Sequence, residues 1–127
     1  MRPALLLKAK LFRGFADPSR LAVLEALRGG PRCVSDVVAA TSLSQPNVSA
    51  HLACLVECGL ARSARQGRFV YYAIADDRAL KILEEAEAIL GGIGSEVFRC
   101  TRYDPGPRPR PRRAGRRAGG MRVGAGR

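Results

Sequence analysis

Several features on which common functional classes depend are scarce or missing in this sequence. Its 127 residues include one histidine, no tryptophan and four cysteines, none of them in a Cys-x-x-Cys pair. With one histidine, no nucleophile beside a base motif and no glycine-rich phosphate loop, the sequence gives no support to an enzyme. The cysteine spacing likewise gives no support to a zinc ribbon or a thioredoxin-like redox motif.

Long apolar runs are also missing. A membrane helix needs about 18 or more consecutive apolar residues, and Lys8, Lys10 and Arg13 interrupt the apolar N-terminal stretch. We therefore predict neither a membrane span nor a signal peptide, and no membrane partner. We expect a cytoplasmic protein, in which thiols normally stay reduced and disulfides are the less favoured use of cysteine.

Positive charge is abundant but unevenly distributed. The formal net charge is +11, yet residues 105–127 hold eight arginines and no acidic residue, so the rest of the chain is only mildly basic. This tail, rich in Arg, Pro and Gly, cannot bury a core and is predicted to be disordered. It is equally consistent with added DNA affinity through counterion release and with no function.

Apolar residues recur at helical spacing in the first forty residues. Residues 4–15 form an amphipathic pattern with more apolar surface than a lone helix needs, which indicates packing against something else, such as a second subunit. Asp17-Pro18 predicts the start of a second helix and Gly29-Gly30 its end. A short third helix is predicted from Cys33 to Ala40.

The next stretch predicts a short helix with two chemically different ends. Ser44 suits the N-cap, Pro46 the first turn and Gly59 the C′ position, so the helix is expected from Gln45 to Cys58. After a short helix and a three-residue link, it completes a helix-turn-helix pattern. Polar side chains at its front, with no acid among them, suit contacts with base edges or phosphates: Ser44, Gln45, Asn47, Ser49 and His51.

Two alternating runs follow this helix. The runs, Leu60 to Arg65 and Arg68 to Ile74, predict a β-hairpin that turns at Gln66-Gly67. Such a hairpin would form the wing of a winged helix. Its tip residues Arg65, Gln66 and Arg68 suit minor-groove or backbone contact, although exposed basic residues are often only solvated.

The last predicted element is a fifth helix of about 14 residues, between Asp76-Asp77 and Gly91-Gly92, with an apolar face suited to dimerisation. Residues 93–104 are expected to be irregular. The predicted fold is mainly α with a small β-hairpin, a homodimeric winged helix-turn-helix in the order α-α-α-α-β-β-α. We expect a DNA-binding and dimerisation domain over residues 1–95, a segment over 96–104 that carries Cys100, and the disordered tail over 105–127.

Two cysteines lie on the predicted recognition helix. Cys54 and Cys58 are four residues apart, so both side chains project from the same side of the helix. On spacing alone, metal ligation and simple packing as small hydrophobic residues are equally open. Cys33 is expected to be a core residue or a spectator.

The chain resembles the ArsR/SmtB family of metal-responsive winged-helix repressors over about residues 5–95. The resemblance is carried by Ala16 to Leu21, Leu43 to Leu52, Leu55, Gly59-Leu60, Gly67-Arg68 and Tyr71-Tyr72. Within that family, Cys54, Cys58 and Cys100 together resemble the CmtR-type sensors of cadmium and lead. The chain departs from other members because Ser35 stands where a second cysteine would follow Cys33, and because residues 76–92 contain no histidine.

The resemblance implies a homodimer paired through its first and last helices, with Cys54 and Cys58 of one protomer and Cys100 of the other forming a thiolate site. Three thiolates suit Cd(II) or Pb(II), whereas Zn(II) is a further option that prefers four ligands in structural sites. The expected function is a repressor whose metal-free dimer binds double-stranded operator DNA and whose metal-bound form releases it. The alternatives are a thiol-based redox repressor, with a disulfide to Cys100, and a DNA-binding protein without an effector.

Overall fold

A computed structural model describes residues 1–102 and 104 of the chain. Its elements are α1 (Pro3–Ala16), α2 (Pro18–Ala26), β1 (Arg32–Cys33), α3 (Val34–Thr41), α4 (Gln45–Glu57), β2 (Ala61–Gln66), β3 (Phe69–Ile74) and α5 (Asp77–Arg99). This is the predicted order with one added element, the two-residue strand β1. No helix in this part of the chain is long and apolar enough to cross a membrane.

One residue, Asp17, separates α1 from α2. Its backbone is extended, and its carboxylate accepts a hydrogen bond of 2.8 Å from the Arg20 amide, which satisfies a free donor in the first turn of α2. The Arg20 guanidinium donates in turn to the carbonyl oxygens of Gly14, at 2.7 Å, and Arg13, at 2.9 Å. The sharp junction between the two helices is therefore satisfied on both sides.

The sheet is antiparallel with strand order β1-β3-β2. Gln66 pairs with Phe69, so the hairpin turns at Gly67-Arg68 and the predicted turn at Gln66-Gly67 was wrong by one residue. Gly67 has a φ of +62°, the left-handed conformation that glycine adopts without a steric penalty. The strand β1, which was not predicted, pairs Cys33 with Tyr71 on the other edge of β3.

The core lies where α2, α3 and α4 meet. Its completely buried side chains are Val23, Leu24, Val37, Val48, Leu52 and Leu55. The last three form the stripe predicted on α4, at positions i, i+4 and i+7. Because this stripe faces the core, the polar side chains between them on the first two turns of α4 point away from it.

The last helix is longer than predicted. It runs to Arg99 through Gly91 and Gly92, so residues 93–99 are helical rather than irregular, with a single departure from helical φ and ψ at Ile93. Glycine costs only about 1 kcal/mol in a helix, so a glycine pair weakens a helix without necessarily ending it. A first compact unit spans Met1–Gly92 and a second begins at Ile93.

An ion-pair network joins α5 to α2 within the first unit. Arg28 on the turn after α2 donates to Glu25 at 2.8 Å and to Glu87 at 2.7 Å. Its guanidinium lowers the pKa of the Glu87 carboxyl below its ordinary value. All three side chains are partly exposed, so the network positions α5 more than it stabilises the fold.

Candidate nucleic-acid interface and thiol pair

The first turns of α4 present a row of exposed polar side chains. Ser44 has an extended backbone and its Oγ accepts from the Asn47 amide at 3.3 Å, which caps the helix as predicted. Gln45, Asn47 and Ser49 are exposed on the helix that follows. The helix is held on its other side by the buried stripe, so these side chains are presented on a rigid support.

His51 occupies a more enclosed position than the other predicted contact residues. Its side chain is 19% exposed, and its Nε2 lies 3.9 Å from a carboxylate oxygen of Asp17. This distance is too long for a hydrogen bond but short enough for an ion pair when the imidazole is protonated. His51 therefore lies between the polar front of α4 and the junction of α1 with α2.

The hairpin carries the second group of predicted contact residues. Arg65, Gln66 and Arg68 are all exposed at its tip. Arg65 Nε donates to the Gly67 carbonyl at 3.4 Å, a long hydrogen bond that leaves the rest of the guanidinium free. Every residue of β2 after Ala61 is exposed and none is acidic, so the strand offers an uninterrupted positive edge.

The two predicted thiols are both exposed at the opposite end of α4. The helix ends at Glu57 and Cys58 forms its C-cap, one residue earlier than predicted. The Cys58 thiol makes only a 3.5 Å contact with the Leu55 carbonyl, which leaves it free to reorient. Both cysteines line one open groove of about 1080 Å³ beside α1.

The contribution of α1 to this groove was not predicted. Its apolar wall near the thiols consists of Leu7, Leu11 and Leu60, and a methyl group added at Gly14 would lie 3.7 Å from Leu60. The charged residues that line it are all basic: Lys8, Lys10, Arg13 and Arg20. The i, i+4 spacing of Leu7 and Leu11 is the sequence signal that identifies this face of α1.

The groove offers sulfur as its only anionic or soft ligand, since no carboxylate or imidazole lines it. Within residues 1–102 and 104, no three His, Cys, Asp or Glu side chains are grouped so as to hold a metal ion. Cys54 and Cys58 therefore supply two donors, and a three-thiolate site needs one from elsewhere. The donor set that is present fits a soft cation better than a hard one.

The other two cysteines differ in their surroundings. Cys33 is only 9% exposed, and its Sγ lies 3.2 Å from the Ser35 hydroxyl, so it is a core residue with a satisfied thiol. Cys100 belongs to the second unit, directly after α5, and is half-buried. Its amide donates to the carbonyl oxygens of Glu96 and Val97, which places it on the end of the last helical turn.

Comparison with known proteins gives concordant results. The family described as bacterial regulatory protein, arsR family, matches residues 17–63. A protein described as the probable mercury resistance operon repressor of Streptomyces lividans is 35% identical over 94 residues, which cover 74% of this chain and 75% of that protein.

Two solved structures are similar to the fold. The cadmium metal-sensor CmtR from Mycobacterium tuberculosis is 42% identical, with 61% of this chain and 80% of that chain covered and a TM-score of 0.54. A homodimeric winged helix-turn-helix DNA-binding domain from Mycobacterium bovis is 29% identical, with 71% and 85% covered and a TM-score of 0.62. The predicted winged helix-turn-helix fold class is confirmed.

Proposed function

The chain belongs to the ArsR family of bacterial transcriptional regulators, which are DNA-binding proteins and not enzymes, and from this premise we propose that it is a repressor released from its operator by a soft metal ion. One observation carries the proposal. The helix that presents a polar front suited to DNA also carries two exposed thiols at its other end. A ligand held by those thiols acts on the DNA-binding element itself.

The proposed DNA contacts divide by position. Gln45, Asn47 and Ser49 read base edges in the major groove, with Ser44 and His51 at the margin of the same surface. The hairpin residues Arg65, Gln66 and Arg68 contact phosphates or the minor groove. In a dimer, two copies of α4 would occupy successive major grooves about 34–36 Å apart and read an inverted repeat.

The proposed homodimer pairs α1 of one copy with α5 of the other. On α1, Leu5 is 49% and Phe12 is 53% exposed, and on α5, Ile89 is 57% and Leu90 is 48% exposed. The charged residues of α1 are all basic, whereas residues 84–87 of α5 hold three glutamates. The two surfaces are therefore complementary in both apolar character and charge, and the homodimeric structural neighbour supports the same arrangement.

The proposed effector is Cd(II) or Pb(II), held by Cys54 and Cys58 of one protomer and Cys100 of the partner subunit. The sulfur-only lining of the groove supports a soft ion, and Zn(II) is less well matched because structural zinc takes four ligands. The names of two relatives, a mercury resistance repressor and a cadmium sensor, point to the same class of ion.

The proposed coupling follows from the shared helix. When Cys54 and Cys58 are joined to a segment of the partner subunit, the last turn of α4 loses its freedom to adjust to the DNA. The two α4 helices then fit both half-sites less well. Couplings of this kind are commonly about 1–3 kcal/mol, which predicts a fall in operator affinity of about 5- to 150-fold.

A cadmium titration of the reduced, full-length protein tests the proposal. An operator is first selected from a random DNA pool with the metal-free protein, and its fluorescence anisotropy is then followed together with the ultraviolet sulfur-to-metal charge-transfer absorbance. We expect one ion per protomer and release of DNA at the same endpoint. Cys100→Ser should weaken both signals, whereas Cys33→Ser, which alters only a buried thiol, should leave both unchanged.

Tight DNA binding that ignores cadmium would contradict the proposal. Release by peroxide, accompanied by a disulfide between Cys100 and Cys54 or Cys58, would replace it with the redox alternative. DNA binding that responds identically in the wild type and in a triple serine variant of Cys54, Cys58 and Cys100 would indicate a regulator without a thiol effector.

A further inference from the structure

The groove beside Cys54 and Cys58 is larger and more apolar than a bare metal ion requires. Its volume of about 1080 Å³ is at the upper end of the range of small-molecule sites, about 300–1,000 Å³. Leu7, Leu11 and Leu60 line it together with the two thiols. An ion bound only by sulfur would leave these leucines without a partner.

We infer that Cys54 and Cys58 bind a mono-organyl arsenic(III) compound, an aryl- or alkylarsonous acid, whose organic group lies in the groove. The inference rests on the proposed function only in using the same two thiols. In R–As(OH)2 each thiol displaces one hydroxyl group. Two As–O bonds break, two As–S bonds form, and the two thiol protons leave with the hydroxyls as two water molecules. The As–C bond persists and arsenic remains trivalent throughout.

The number of thiols present fits this chemistry. An arsonous acid needs two sulfur ligands because carbon already occupies its third position, so the chain completes the site without Cys100. Residues four apart on a helix have their Cβ atoms about 5–6 Å apart, within reach of a single bridging atom. Both thiols are exposed, and Cys58 makes only a long contact with a carbonyl, so each can rotate toward a shared ligand.

The apolar wall would select the organic group. Burying a phenyl group against the leucines should favour phenylarsonous acid over methylarsonous acid by about ten- to a hundredfold, by the usual value for burying an aromatic side chain. The proposed dimer contacts Leu5 and Phe12 do not line the groove, so dimerisation through them leaves it open. Cys33 offers one buried thiol and no groove, and it should not compete.

Binding of phenylarsonous acid, methylarsonous acid and arsenite to the reduced full-length protein tests the inference. Intact mass and free-thiol counts give the stoichiometry, and competition with a small dithiol gives relative affinities. We expect one phenylarsenic group per protomer with loss of two free thiols. Cys54→Ser and Cys58→Ser should each abolish this chelation, whereas Cys100→Ser and Cys33→Ser should bind phenylarsonous acid as the wild type does.

The contribution of the groove is tested separately. Leu11→Asn, at a position already 39% exposed, should reduce the preference for phenyl over methyl by about tenfold while leaving cadmium affinity unchanged. The urea-unfolded wild type should show no phenyl preference beyond that of a free dithiol.

Equal affinities for the phenyl and methyl compounds, or a loss of phenylarsenic binding in Cys100→Ser, would overturn the inference. Because the readout is binding and not DNA release, its outcome is independent of the proposed function. Cadmium-insensitive DNA binding together with intact phenylarsenic chelation would contradict the metal-sensor proposal and leave this inference standing.

Discussion

Replacement of Ser44 separates the stability of α4 from its contact with DNA. Ser44→Ala removes the oxygen that accepts from the Asn47 amide at 3.3 Å. N-cap residues contribute about 0.5–2 kcal/mol, and a bond longer than the usual 2.9–3.0 Å at an exposed position belongs in the lower half of that range. We therefore expect a loss of about 0.5–1 kcal/mol, or roughly 2–8 °C in Tm for a domain of this size.

Ser44→Asp should behave differently in the two assays. A carboxylate caps a helix as well as a hydroxyl does and interacts favourably with the helix N-terminus, so stability should match or exceed that of the wild type. The same negative charge would face phosphates if the front of α4 contacts DNA, and operator affinity should then fall below that of Ser44→Ala. Ser49→Ala is the matched control, because it removes a candidate contact from an exposed interior position without removing a cap.

Urea unfolding followed by circular dichroism at one fixed protein concentration gives the stabilities, since the stability of a dimer depends on concentration. Anisotropy with the selected operator gives the affinities. An Ser44→Ala variant as stable as the wild type would show that the cap contributes nothing. An Ser44→Asp variant that binds DNA normally would show that the N-terminus of α4 does not face the phosphates.

Three further predictions concern the framework of the site. Gly67→Val should lose about 1–2 kcal/mol of stability because valine would adopt the φ of +62°, while Gly67→Asn should lose less; an added Cβ meets no atom within 4 Å, so equal melting of both variants would refute this conformational cost. Leu52→Ala should cost about 2–5 kcal/mol, measured as a lower urea midpoint, because the side chain is completely buried. The hydrogen bond from Arg78 lowers the pKa of Asp76 to about 2, so Asp76→Asn should lower stability at neutral pH; this difference should shrink as the pH falls from about 4 toward 2, and a difference independent of pH would contradict it.

Local signals were enough to predict most of the fold. Asp17-Pro18, Ser44 and Gly67 mark element boundaries through chemistry that acts within a few residues, and each has the predicted capping or turn role. The stripe on α4 was predictable because burial on one side of a helix imposes a spacing that the sequence must carry.

The features that were missed depend on distant residues or on small energy differences. The strand β1 is two residues long and exists because Cys33 pairs with Tyr71, far along the chain. The length of α5 depended on whether neighbouring turns outweigh the weak helix propensity of Gly91 and Gly92. The thiol groove was missed because its apolar wall comes from α1, whose position beside α4 is a tertiary fact.

The rigidity of α4 makes its orientation sensitive to events at one end. At 1.5 Å per residue, about 16 Å of helix axis separates Asn47 from Cys58. The helix is a lever of that length, and a rotation of about 10° around the thiol end would displace Asn47 by about 3 Å, the length of a hydrogen bond. A change in angle small enough for the neighbouring helices to accommodate would therefore be large enough, at the far end, to exchange one set of hydrogen-bond partners for none.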